Sequence, residues 1–209
     1  MPHLSSPLDK TFNRSIKRAT DIVLSMVIIA ALAVPVFLPI AIVTKITSPG
    51  PVIFRQRRTG YQGKDFYCYK FRSMEENEES DTTTAKRNDN RVTAIGRFMR
   101  RSSIDELPQL FNVVQGDMSL IGPRPHMLYQ TERYCNTIRN YMDRHHVKPG
   151  ITGLSQVNGL RGSTEFLWQM QKRVDTDLHY IKNWTILLDF KRLFKTIYKT
   201  LLFQDKNAY

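Results

Sequence analysis

The chain has 209 residues, 41% of them hydrophobic, with 31 Lys plus Arg against 19 Asp plus Glu, a formal charge of +12. That length suits one domain with a buried core, and ten Gly with ten Pro exclude a fibrous or disordered chain. The charge excludes an acidic solvating protein and predicts an anionic partner: nucleic acid, a phospholipid surface or a phosphorylated substrate.

The first predicted element is an apolar run. Residues Ile22 to Val43 carry no formal charge. A straight helix of that length reaches ~33 Å, enough to cross a bilayer core. The run is too long for a secretory signal and lacks a small-x-small cleavage site before polar sequence. Two features oppose simple crossing. Pro35 and Pro39 each remove a helix donor, and a break at Pro35 would leave arms of ~20 and ~12 Å, neither of which spans. The flanks add Arg14, Lys17 and Arg18 before the run and Lys45, Arg55, Arg57 and Arg58 after it. The positive-inside tendency wants both sets on the cytoplasmic side. A helix that enters, bends at Pro35 and returns satisfies both. Spanning helices tolerate proline, so the residues alone leave re-entrant and spanning arrangements open. Residues 1–48 form the membrane segment in this reading, and residues 49–209 a catalytic domain.

Next, Val52–Arg55 and Phe66–Phe71 read as strands around a turn at Gly60–Lys64. Glu75–Asn90 is polar throughout and reads as a loop. Ile95–Arg101 and Leu107–Val114 carry helical patterns, Gly116–Pro125 is a Gly/Pro-rich loop, and Met127–His145 reads as one amphipathic helix. Lys148–Gly162 is a turn-rich loop, and Ser163–Ile181 is helical again. In Trp184–Phe203, apolar residues recur at helical spacing, with Lys191, Lys195 and Lys199 on a second stripe. That helix either packs on the core or lies in the headgroup layer. No βαβ alternation is visible, so the fold class is α+β, mostly helical. Two cysteines, Cys68 and Cys135, make no C-x-x-C pair and fit a chain facing the reducing cytoplasm.

Three strings carry candidate chemistry. Asp105-Glu106 lies before Leu-Pro, and Pro108 belongs in a helix's first turn, so the carboxylates sit at or near a helix N-terminus. Helix capping explains such a pair by itself, with Ser103 and Glu106 as a capping box. Arg100 and Arg101 one turn upstream favour a second role, because adjacent carboxylates repel unless a cation offsets them. One carboxylate could attack phosphorus while the other holds Mg²⁺. Gly122-Pro123-Arg124-Pro125 fixes one arginine between two prolines, either as a surface turn or as an anion grip. Tyr69-Lys70-Phe71-Arg72 alternates, placing Lys70 and Arg72 on one strand face. The five histidines lack metal-ligand spacing with either cysteine. No G-x-G-x-x-G or G-K-[ST] loop occurs.

Together these strings resemble a family. Lys17-Arg18-x-x-Asp21, the proline-bearing apolar run, GPVIFRQRRTG (50–60), YKFRSM (69–74), SSIDELPQLFNVVQGDMSLIGPRP (102–125) and KPGITGLSQVNGLRG (148–162) are similar to the bacterial sugar transferases. These are monotopic polyprenyl-phosphate phosphoglycosyl transferases, and the likeness extends over about residues 14–203. The region from His126 to the C-terminus is most similar to glucose-specific members. The resemblance implies a re-entrant membrane helix hairpin, a small catalytic domain on the cytoplasmic face of the inner membrane, and amphipathic interfacial helices. It also implies transfer of a sugar-1-phosphate from a UDP-sugar to undecaprenyl phosphate, with UMP released. By similarity Asp105 is the nucleophile, Glu106 binds Mg²⁺, and Lys70, Arg100 and Arg124 hold phosphates, with Arg72 and Arg161 near the nucleotide-sugar. The family breaks its membrane helix at Ser-Pro, and this chain has Val34-Pro35 instead. The sugar, the glycan pathway and the oligomeric state, a homodimer included, stay open. The competing reading is a membrane-anchored basic protein without catalysis. A nucleic-acid role is not expected, since no nucleic-acid motif is present.

Overall fold

The computed structural model describes residues 4–75, 89–160, 162, 164 and 166–201. Most of the polar Glu75–Asn90 stretch, and Arg161, therefore lie outside the described residues. The described chain is mostly helical with two small two-stranded sheets, the expected α+β class.

One helical run extends from Thr11 to Thr47. It comprises α1 (Thr11–Leu32), a π-helical stretch (Ala33–Phe37) and α2 (Leu38–Thr47). Pro35 has no N–H to give. The helix absorbs that loss by widening, so that the Leu38 N–H donates to the Ala33 carbonyl five residues back. The proline thus changes the hydrogen-bond register without interrupting the helix.

Each arm buries one stripe against the same body. On α1 the stripe is Lys17, Asp21 and Ser25, four residues apart; along the other arm it is Ile40, Thr44 and Ser48. Lys17 Nζ meets Asp189 Oδ2 at 2.6 Å, and Asp21 accepts from Ser119 Oγ and the Leu120 N–H. Arg18 donates to the carbonyls of Val113 and Val114. At the far arm, the Phe37 ring stands edge-on to Phe71 and Phe111, and Ile40 joins Phe71 and Met99 in a small apolar cluster. Val23, Met26, Val27, Val34, Leu38 and Ile46 face outward, exposed.

Strands β1 (Ile53–Thr59) and β2 (Asp65–Phe71) form an antiparallel hairpin, longer than sequence alternation suggested. Its register pairs Phe54 with Lys70, Gln56 with Cys68 and Arg58 with Phe66 on one face. Helix α3 (Ala94–Ser102) starts at Thr93, whose side chain accepts from the Gly96 N–H. Helix α4 (Gln109–Gln115) ends at Gly116, where a φ of 104° calls for glycine.

Strand β3 (Ser119–Ile121) then pairs in parallel with β4 (Gly150–Thr152), and the connection between them carries α5 (Leu128–Cys135). This is a short β-α-β unit that strands of three residues could not announce in the sequence. The helix expected over Met127–His145 ends at Cys135. The chain reverses at Asn140 (φ 57°), a residue type that tolerates the left-handed region. A 3-10 segment, Tyr141–His146, then sends Tyr141 and Arg144 into the interior.

Helices α6 (Leu154–Val157), α7 (Leu167–Lys182) and α8 (Ile186–Leu201) complete the body. Met170, Val174 and Ile181 of α7 close the main core over Leu110, Val113, Met118 and Ile121. On α8 the core-packed reading holds for one face. Its inner face places Asp189 among Lys17, Tyr180 and Trp184, while Leu187, Phe194 and Tyr198 remain exposed.

Candidate active site

The Asp105-Glu106 pair lies on a 3-10 turn, Ile104–Glu106, just before α4. Ser103 closes α3 in the left-handed region (φ 55°) and makes no capping bond through its side chain to the turn. The capping box is therefore not what Glu106 serves. Ile104 and Leu107 pack into the Ile40–Phe71–Met99 cluster on either side of the pair. Asp105 and Glu106 are themselves 7% and 6% exposed. Two adjacent buried carboxylates need cationic partners, because desolvated like charges repel without them.

Those partners arrive from two separate elements. Lys70 of β2 places Nζ 3.0 Å from Glu106 Oε1. Arg124 grips both Glu106 oxygens, at 2.6 Å to Oε1 and 3.1 Å to Oε2. A planar guanidinium suits this two-point hold. Burial opposes charge on Arg124, but Glu106, by charge and hydrogen bonding, and Asp105, by charge, lift it above the ordinary arginine value. The cation is therefore fixed.

Backbone packing explains the glycines around Arg124. A Cβ at Gly122 would fall 2.6 Å from the Lys148 carbonyl oxygen, and one at Gly150 2.1 Å from the Gly122 nitrogen. The Gly122–Pro125 loop and the Lys148–Gly153 segment touch main chain to main chain, as only glycine allows. That contact links two strings whose proximity the sequence could not show.

Of the other expected residues, Arg100, near the end of α3, donates to Ser73 Oγ at 3.1 Å and to Met74 Sδ at 3.4 Å. Arg72 is not brought to the carboxylates. Strand β2 ends at Phe71, so the alternation that linked Lys70 to Arg72 stops one residue short. Arg72 instead donates to the carbonyls of Ser48, at 2.6 Å, and Pro49. These two carbonyls lie just past the end of α2, outside its hydrogen-bond ladder, and a buried guanidinium satisfies them.

Several contributors had no recognisable signal. Asn112, fully buried, donates to the Tyr67 carbonyl (2.7 Å) and accepts from the Tyr69 N–H (2.9 Å). It ties α4 to the edge of β2 on both sides of Cys68. Arg58 donates to the Pro125 carbonyl at 3.0 Å. A positive neighbourhood continues inward. Burial, then the charges of Arg144, Arg173 and Arg58, hold His126 well below the usual histidine range. Burial, then Arg144 and Arg124, bring Arg173 down to about 10. Among the described residues no cluster of three or more His, Cys, Asp or Glu side chains could cage a metal. Arg161 lies outside the described residues.

Comparison with known proteins bears on what this arrangement does. Residues 12–203 match the family described as bacterial sugar transferase. The chain is 49% identical, over all of its length, to a UDP-glucose:undecaprenyl-phosphate glucose-1-phosphate transferase of Escherichia coli (strain K12), covering 44% of that protein. It is 45% identical to one so named from Caulobacter vibrioides, covering 92% of this chain and 72% of the relative. An Aeromonas hydrophila relative named for N-acetylgalactosamine is 44% identical over 95% of this chain and 46% of its own length. The chain thus spans less than half the length of the first of these.

Proposed function

The chain belongs to the bacterial sugar transferase family, and we propose that it moves a hexose-1-phosphate, glucose first, from a UDP-sugar to undecaprenyl phosphate. The observation that carries this reading is Glu106 held at three points by Lys70 and Arg124 beside a second buried carboxylate, Asp105. An Asp105 carboxylate oxygen attacks the donor's β-phosphorus. The bond from that phosphorus to the bridging oxygen breaks, and UMP leaves with the oxygen. A phosphate oxygen of the lipid then attacks the same phosphorus, giving the lipid diphospho-sugar and returning the carboxylate. Dividing the transfer in two lets one site serve a soluble donor and a bilayer-bound acceptor in turn. Arg124 and Lys70 offset charge on the transferring phosphoryl group.

Mg²⁺ fits this donor set. Mg²⁺ is usually held by one or two carboxylates plus substrate phosphates, and not by an all-protein cage. Glu106 is a carboxylate beside the buried Asp105 carboxylate, the hard oxygen donor that Mg²⁺ takes. When bound, Mg²⁺ would neutralise diphosphate charge. Glu106 would hold it, and Asp105 stays the attacking group.

The membrane arrangement we infer is re-entrant, with the body on the cytoplasmic face. Both arms of the Thr11–Thr47 helix dock on one polar body, Lys17 at Asp189 and Ser48 at Arg72. Docking of both ends on one body supports a helix that returns through the face it entered. The π-helical stretch around Pro35 is the natural place for the turn, and the exposed Leu187, Phe194 and Tyr198 of α8 suit the headgroup layer.

Purified protein in detergent with UDP-glucose, undecaprenyl phosphate and Mg²⁺ should release UMP, and Asp105→Asn should not. Full activity in that variant would remove Asp105 from the chemistry. Single cysteines placed before α1 and at the exposed Thr47 should both resist a periplasmic thiol reagent, whereas labelling at one of them alone would mean a crossing helix.

A further inference from the structure

Four consecutive carbonyls in the arginine-bearing loop are each held from outside it. Pro123 accepts from the Gly150 N–H at 2.9 Å, and Arg124 from Arg144 Nη2 at 2.9 Å. Pro125 accepts from Arg58 Nη1 at 3.0 Å, and His126 from the Thr59 N–H at 3.0 Å. The donors come from the start of β4, from the Tyr141–His146 segment and from the end of β1. A loop held at four successive carbonyls has little freedom left, so the direction in which Arg124 projects is set by its main chain.

The Arg124 carbonyl differs from the other three because its donor is a buried ion pair. Arg144 and Asp177 are each 1% exposed. Both Nε and Nη2 of Arg144 reach Asp177 Oδ2, at 3.2 and 2.7 Å. The guanidinium also lies 5.6 Å from the centre of the Tyr141 ring. Burying an ion pair brings little net stability over an apolar pair of equal volume. It does supply a donor of fixed direction, which an apolar pair cannot. Asp177 on α7 aims Arg144, Arg144 takes the Arg124 carbonyl, and the Arg124 side chain takes both oxygens of Glu106.

We propose that Arg144 and Asp177 are positioning residues for the transfer reaction: they orient Arg124, through its main chain, toward Glu106 and the donor's phosphates. The proposal rests on the phosphosugar-transfer reading above, and it adds to that reading two residues more than one shell away from the reacting atoms. A pair serving stability alone would lower folding stability and leave turnover per folded molecule unchanged. A positioning pair must lose its effect once Arg124 can no longer make its two-point grip.

The test is a pair of double-mutant cycles on the full chain in detergent. In the first, kcat and KM for UDP-glucose are measured for wild type, Arg144→Lys, Arg124→Lys and the double variant. Lysine keeps the charge but loses the planar fork: Arg144 makes both bonds from Nη2 and a third from Nε, and the lysine stem ends one atom short of Nη2. The expected result is a ~10- to 100-fold fall in kcat for Arg144→Lys, with KM changed by less than ~3-fold, since small displacements at a transfer site cost rate. In the Arg124→Lys background the same change should cost less than ~3-fold more. Losses that multiply across the two sites overturn the proposal.

The second cycle needs no turnover. Melting temperature is measured for Arg144→Lys and Glu106→Gln, singly and together. If Arg144 aims Arg124 at Glu106, the fall caused by Glu106→Gln shrinks by at least half in the Arg144→Lys background. An equal fall in both backgrounds overturns the proposal. Should Arg144→Lys not fold, Asp177→Asn keeps the arginine and takes its place in both cycles. Absence of UMP release from wild type with every UDP-sugar would sink the functional reading, and the melting cycle would still decide this one.

Discussion

Replacing Asn112 by leucine should loosen β2 and, with it, Lys70. The Asn112 amide occupies the open edge of β2 as a third strand would, giving one bond to the Tyr67 carbonyl and taking one from the Tyr69 N–H. Asn112 is fully buried and its two bonds are part-buried, so water replaces the lost partners only incompletely. Leucine has similar bulk but leaves the Tyr67 carbonyl and the Tyr69 N–H without their amide partner, at ~1–3 kcal/mol each. The sum is ~2–6 kcal/mol. For a chain of this size each kcal/mol moves the melting temperature by ~2–4 °C, so a fall of ~10 °C is the central expectation. Asn112→Asp retains the acceptor for Tyr69 but turns an oxygen toward the Tyr67 carbonyl, and it should fall at least as far. Lys70 follows one residue after Tyr69, so UMP release should drop even at temperatures where the variant is folded. Scanning fluorimetry in detergent, paired with an initial-rate assay on the folded fraction, reads both effects. A melting temperature within ~2 °C of wild type, with turnover unchanged, would refute the claim that this amide secures the strand.

Two further perturbations test separate parts of the account. Arg72→Met strips the donor from the Ser48 and Pro49 carbonyls, so it should lower melting temperature by several degrees, at ~1–3 kcal/mol per orphaned carbonyl. KM for the UDP-sugar should not move, and a large rise in KM would return Arg72 to the donor site. Burial and the Arg144 charge push the His145 imidazole down to about 4, whereas an unfolded histidine titrates near ~6.5. Between those values the unfolded chain binds the extra proton, so stability is full above pH 6.5 and declines as pH falls toward 4, by ~3 kcal/mol in total. Melting temperature should drop between pH 7 and 5, and His145→Asn should make that slope shallower. An unchanged slope would contradict the assignment.

Much of the site was legible because its chemistry is local. Asp105, Glu106 and the proline two residues on fix a short turn before a helix whatever surrounds them, and Lys70 announces itself by strand alternation. The alternation failed at Arg72 because a strand's end is set by tertiary demand: carbonyls at Ser48 and Pro49, more than twenty residues earlier, needed a donor. The hold on Glu106 was partly hidden for a similar reason. Nothing in Gly122-Pro123-Arg124-Pro125 says which carboxylate the arginine meets, and nothing in Asn112 or Arg144 marks them apart from ordinary helix and turn residues. In the fold, the long helix was plain from composition. The π-helical accommodation of Pro35 was not, since the sequence names the missing donor but not the neighbour that replaces it. The β3–β4 pair escaped notice because three-residue strands carry no readable period.

The central claim is that Asp105 carries the sugar phosphate on itself between the two substrates. Intact-mass measurement of the purified protein after incubation with UDP-glucose and Mg²⁺, with no lipid acceptor, tests it most directly. The account predicts a gain of one hexosyl phosphate, mapped to Asp105 and removed on addition of undecaprenyl phosphate. Wild-type protein that turns over with both substrates yet never gains that mass with the donor alone, under conditions where an acyl phosphate survives, would contradict it.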